Sequence, residues 1–73
     1  MAWQIVMDHT GDQRHLFDAR DVEALAGAEE RFRELTGKGF IAAVRIGPGQ
    51  THRIKAFDPE AEETLFFPRL VGG

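Results

Sequence analysis

The chain has 73 residues, a formal net charge of −3 and no cysteine, which bounds it to one domain and excludes disulfides, cysteine-ligated metals and a thiol nucleophile. A domain this small buries only about 60% of its unfolded surface, so its apolar residues are committed to packing, and a carrier, tag or binding module is expected rather than an enzyme. A nucleic-acid binder would carry a basic excess, and no apolar run approaches the roughly 20 residues needed to span a bilayer.

Trp3 to His9 alternates in the manner of a strand, with Trp3, Ile5 and Met7 opposite Gln4, Val6 and Asp8. Thr10-Gly11-Asp12-Gln13 reads as a turn and Arg14 to Phe17 as a short second strand. A helix follows, with Asp18 or Asp21 as its N-cap. Val22, Leu25, Ala28, Phe32 and Leu35 draw one apolar stripe at spacings of three and four. Thr36-Gly37-Lys38-Gly39 ends it, either glycine suiting a left-handed cap.

Phe40 to Ile46 and Thr51 to Phe57 read as two further strands joined through Gly47-Pro48-Gly49-Gln50. Asp58 to Glu62 is a turn or single helical turn, and Thr64 to Phe67 a last strand that Pro68, lacking an N–H, should weaken. The domain is expected over residues 1–68, with residues 69–73 as a tail. One helix with one apolar stripe needs one sheet face to cover it, which gives an α+β chain with a mixed sheet of four to five strands. Trp3 and Phe32 read as core. The start, Met1 to Asp8, has no basic n-region and meets a carboxylate early, so a cytoplasmic location is expected, without membrane or nucleic-acid partners.

The order of these elements resembles the β-grasp fold of ubiquitin and of the small sulfur carriers of thiamine and molybdopterin synthesis. The resemblance is most specific over Glu63 to Gly73, which looks like ubiquitin's last strand, Arg-Leu-containing tail and Gly-Gly end. Trp3-Gln4-Ile5-Val6 and Thr10-Gly11 look like its first strand and Thr-Gly turn, and the general style is similar to ubiquitin-like proteins that some bacteria encode beside activating enzymes. Val71 stands where ubiquitin has an arginine, Pro68 has no counterpart, and Lys38 and Lys55 are the only lysines.

The resemblance implies a ubiquitin-like protein modifier or sulfur carrier, itself non-catalytic, without cofactor or metal, and monomeric. An activating enzyme would join the Gly73 carboxyl to AMP from ATP, and a conjugating enzyme and an isopeptidase would be further partners. Gly72 would be the residue that threads a narrow channel, since glycine has no side chain to obstruct it. Arg69, Leu70 and Val71 would be the recognition handle.

The facing of the last strand stays open, because a one-residue change of register exchanges the two faces. With Phe66 toward the helix, Leu65 and Phe67 point outward beside Ile41 and Ala43, rimmed by Arg45, Arg53, Lys55 and Arg69. Such an apolar patch with a basic rim suits a protein partner. In the other facing Leu65 and Phe67 are the core pair. The patch supports the alternative function, a non-conjugated β-grasp interaction module. His9, His15 and His52 do not fall at ligand spacing, and no metal site is expected.

Overall fold

A computed structural model describes residues 1–69. In chain order it has β1 (Ala2–Asp8), β2 (Gly11–Phe17), α1 (Val22–Gly37), β3 (Phe40–Gly47), β4 (Gln50–Ile54) and β5 (Glu63–Pro68). The five strands form one mixed sheet in the order β2-β1-β5-β3-β4, in which only β1 and β5 run parallel. One helix crosses one face of this sheet, so the fold is α+β with the β-grasp arrangement. No helix of the described residues is long and apolar enough to cross a membrane.

The first hairpin turns over His9 and Thr10 alone, so β2 begins at Gly11, earlier than the sequence suggests. The Asp8 carboxylate makes this possible by accepting from both the backbone N–H and the hydroxyl of Thr10. That pairing holds the Asp8 carboxyl below its ordinary range, chiefly through the hydroxyl bond. Gly11, at φ 122°, takes the one backbone angle here that other residues avoid.

Asp21 is the N-cap of α1: its side chain accepts from the N–H groups of Glu23 and Ala24. Asp18 instead orders the preceding turn by accepting from the N–H of Arg20. At the other end Gly39, at φ 99°, supplies the left-handed residue and donates to the Thr36 carbonyl.

The core is Val6, Phe32, Ala42 and Phe66, with Leu35, Phe40, Ile54 and Phe57 packed against it. Phe32 is the hub, meeting the Phe66 ring edge-on at 5.7 Å and the Phe57 ring at 5.9 Å. Phe66 therefore faces the helix, and Leu65 and Phe67 face outward. Phe57 reaches Phe32 from beyond β4, which ends at Ile54 and not at Phe57 as the sequence reading had it. Pro68 has the expected effect on one side only. The ladder with β1 stops at Phe66, while that with β3 runs on to Phe40 opposite Pro68.

Three sequence assignments are corrected. Trp3 is not core: Ala2, Gln4 and Val6 are the buried residues of β1, so Trp3 lies on the opposite face. Val22 falls outside the working stripe of α1 and is 81% exposed, because the helix only begins there and the sheet meets it from Ala28 onward. Ile46, which strict alternation along the strand Phe40 to Ile46 would set on the face of Ala42 and Val44, is exposed, because the register of β3 and β4 shifts between Arg45 and Gly47 and such a bulge breaks the alternation.

Phe66→Ala should cost about 3–5 kcal/mol, a large part of the stability of a small domain, and urea unfolding would show it as an early or lost cooperative transition. Val22→Ala, made on the same helix in the open, should shift the midpoint by less than about 0.5 kcal/mol.

Candidate functional site

With α1 on one face of the sheet, the other face has no covering element among the described residues. Strand register sets its rows. Leu16, Trp3, Glu63, Arg45 and Thr51 form one, and Arg14, Ile5, Leu65, Ala43 and Arg53 form the next. Met7 beside Asp12, and Phe67 beside Ile41, extend the face further. The result is an apolar field across four strands, with cationic residues at its edges.

The candidate recognition residues fall into distinct positions on it. Leu65 points outward yet is only 8% exposed, since Ile5 and Ala43 flank it in the middle of its row. Phe67 is half-buried. Trp3 at 39% and Leu16 at 48% offer more apolar surface than either, and they sit together in one row. Sequence reading missed both, together with Ile5 and Met7, although the alternation in β1 had already placed Trp3, Ile5 and Met7 on a shared face.

Arg45 spends its charge within the sheet. Its guanidinium donates to both carboxylate oxygens of Glu63, at 3.1 and 3.3 Å, a fork-to-fork geometry that fixes both side chains. Arg53 and Arg14 form no ion pair among the described residues, so these two supply the cationic rim.

Arg69 follows directly on Pro68, the last residue of β5. With Lys38, Gly39, Phe40 and Pro68 it lines an open depression of about 250 Å³, where α1 and β5 both end. Phe40 and Pro68 contribute apolar lining to it, and Lys38 and Arg69 are its cationic members. Leu70, Val71, Gly72 and Gly73 lie outside the described residues.

Between sheet and helix is a polar cluster that the sequence did not signal. Gln4 is completely buried. Its amide donates to the Ala28 carbonyl at 2.9 Å and accepts from the Arg31 guanidinium at 2.8 Å. His15 lies directly across the ladder from Gln4. Partial burial, with a smaller contribution from the Arg31 charge, lowers the His15 pKa below its ordinary 6.5. No group of three or more metal-ligating side chains is found among the described residues.

Comparison of the chain with protein-family models, with curated proteins and with solved structures returns no match in any of the three. The fold and the chemistry of these surfaces therefore stand as the basis for the functional reading.

Because folding lowers the His15 pKa, chiefly through partial burial, the unfolded state takes up the proton more readily. Stability should be complete above the unfolded His pKa near 6.5 and decline as pH falls through the lower folded value. Denaturant midpoints measured from pH 7.5 down to about 5 should show that decline, and His15→Gln should flatten it.

Proposed function

We propose that this chain is a ubiquitin-like protein modifier or sulfur carrier that acts through the Gly72-Gly73 end, in a chain that terminates at Gly73 or is cut there. The observation that carries the reading is the place of the last strand. β5 lies between β1 and β3 in the sheet, so the described chain ends at a central strand rather than at a loose edge. A tail anchored this way can be drawn into a partner's channel without unravelling the domain.

The chemistry demands little of the chain itself. A carboxylate is a poor electrophile at neutral pH. The Gly73 carboxylate would attack the α-phosphorus of ATP on the activating enzyme and expel pyrophosphate, giving an acyl adenylate. A partner's cysteine thiolate would then attack the carbonyl carbon and expel AMP to leave a thioester; alternatively the terminal sulfur of a partner's persulfide would attack it and expel AMP to give an acyl disulfide, whose S–S bond a second partner thiol would cleave, leaving the thiocarboxylate on Gly73 and a disulfide on the partner. A lysine amine attacking the thioester would form the isopeptide bond and release the thiol. A chain without cysteine is suited to be the passenger in all of these steps.

Recognition would divide between two surfaces. Arg69, with Lys38 beside it, would present the tail to the activating enzyme, and Leu70 and Val71 would follow it into the channel. Val71 in place of arginine favours an activating enzyme unlike that of ubiquitin. The outer sheet face, with Leu65, Phe67 and Arg53 and the paired Arg45, would dock a second protein.

That face also supports a second reading, a non-conjugated interaction module, because Trp3 and Leu16 leave large apolar area open beside a cationic rim. Deletion of Gly72-Gly73 separates the two: it should abolish adenylation and transfer but leave binding through the sheet face intact.

Intact-mass analysis of the protein from its native host, under conditions that preserve thioesters and thiocarboxylates, is the direct test. A species heavier by one sulfur-for-oxygen exchange supports the carrier, and Gly73 linked to a target lysine supports the modifier. A free carboxylate alone, in the presence of candidate activating enzymes and ATP, would sink both.

A further inference from the structure

The two edges of the sheet are protected very differently. β4 has five residues, a register shift beside it and Pro48 in its connection, with Arg53 and Lys55 near its end. Short length, bulges, proline and lysine are the devices that keep an edge from pairing with another chain. β2 has seven residues, contains neither proline nor lysine, and keeps an unbroken register with β1 from end to end. Its outer side is an open row of backbone donors and acceptors.

The two-residue loop fixes which groups are free. Asp8 and Gly11 flank that loop as a bonded pair, and bonded and non-bonded pairs alternate from there. Asp12, Arg14 and Leu16 therefore turn their N–H and C=O groups away from β1. Asp12 and Arg14 are exposed, share the outer face and form no ion pair among the described residues. A carboxylate and a guanidinium two residues apart on an open strand are complementary to the same strand running the other way.

We propose that β2 pairs antiparallel with β2 of a second copy of this chain, about a two-fold axis through Gln13. This register places Asp12 opposite Arg14 on both sides of the axis, in bonded pairs that use the free backbone groups. The neighbouring registers fail on charge: an axis through Arg14 sets two arginines face to face, and one through Asp12 sets two aspartates. On the axis Gln13 meets its own copy, and the two amides can each donate to the other. The two sheets join into one, and the Leu65–Ile5–Arg14 row of one copy continues through Asp12 to Met7 of the second copy.

One strand edge buries less than the roughly 1,200 Å² of a stable specific interface. The pair is therefore reversible, and the monomer expected from sequence is its dilute form. The proposal does not depend on the Gly72-Gly73 chemistry, and the two are tested separately.

Sedimentation velocity across a concentration series tests it. The wild-type chain should show a reversible monomer–dimer equilibrium. Asp12→Arg alone and Arg14→Asp alone should each weaken dimerisation on the order of tenfold or more, since both attractive cross-strand pairs become repulsive. An equimolar mixture of the two variants should restore it, because each supplies the charge the other now needs, and the double variant should do the same. Circular dichroism checks that every variant is folded. A wild type monomeric up to about 1 mM, a dimer indifferent to the single changes, or a mixture that stays monomeric overturns the proposal; a monomer at every concentration leaves this edge to an extended peptide of another protein.

Discussion

Gln4 reaches from the middle of β1 to the helix, donating to the Ala28 carbonyl and accepting from Arg31, and the facing of the whole sheet goes with it. A buried primary amide left without partners would cost roughly 1–3 kcal/mol. The chain therefore tolerates Gln4 inside only where α1 brings both a carbonyl and a cation to it. Once Gln4 faces inward, Val6 does too, and ladder pairing carries the same choice to Phe66 and Ala42. Trp3, Ile5 and Met7 are left on the far side. The apolar outer face is thus the complement of a polar residue in the interior.

That inversion marks the boundary of what could be read from sequence. Periods of two and of three to four residues located every strand and the helix, and the single apolar stripe required a single covering sheet. Hydrophobicity along β1 pointed the wrong way, however, because Trp3-Ile5-Met7 is the greasier set and Gln4 looks like a surface residue. Only a partner distant in sequence, Arg31, reverses the assignment. Phe57 is a similar case. It reads as the end of a strand, but the chain bends after Ile54 and delivers its ring to Phe32. For the candidate site, sequence identified residues of β3, β4 and β5 and left the facing of the last strand open, since a stretch such as Leu65-Phe66-Phe67 is apolar on both sides. The contribution of β2, through Leu16, depends on register that local pattern does not encode.

Under the proposed reading, partner proteins would meet this chain through the two surfaces described. The described residues form a compact core around Phe32, with an apolar sheet face on one side and a cationic depression where the last strand ends. The bidentate Arg45–Glu63 pair lies within the sheet face, tying β3 to β5 through side chains as well as backbone.

Among the described residues, β5 is the only strand that touches both halves of the sheet: β1 and β2 pair on one side of it, β3 and β4 on the other. Without it the chain would hold two separate hairpins and a helix with half a surface to rest on. The ladder from Gln4 to Thr64 spans nearly the whole sequence, and such long-range parallel pairing closes late in folding. During synthesis the earlier elements must therefore wait, unjoined, until the last strand has emerged. A chain broken off before Glu63 cannot assemble the sheet at all. The architecture thereby makes the ordered sheet conditional on synthesis of the last described strand.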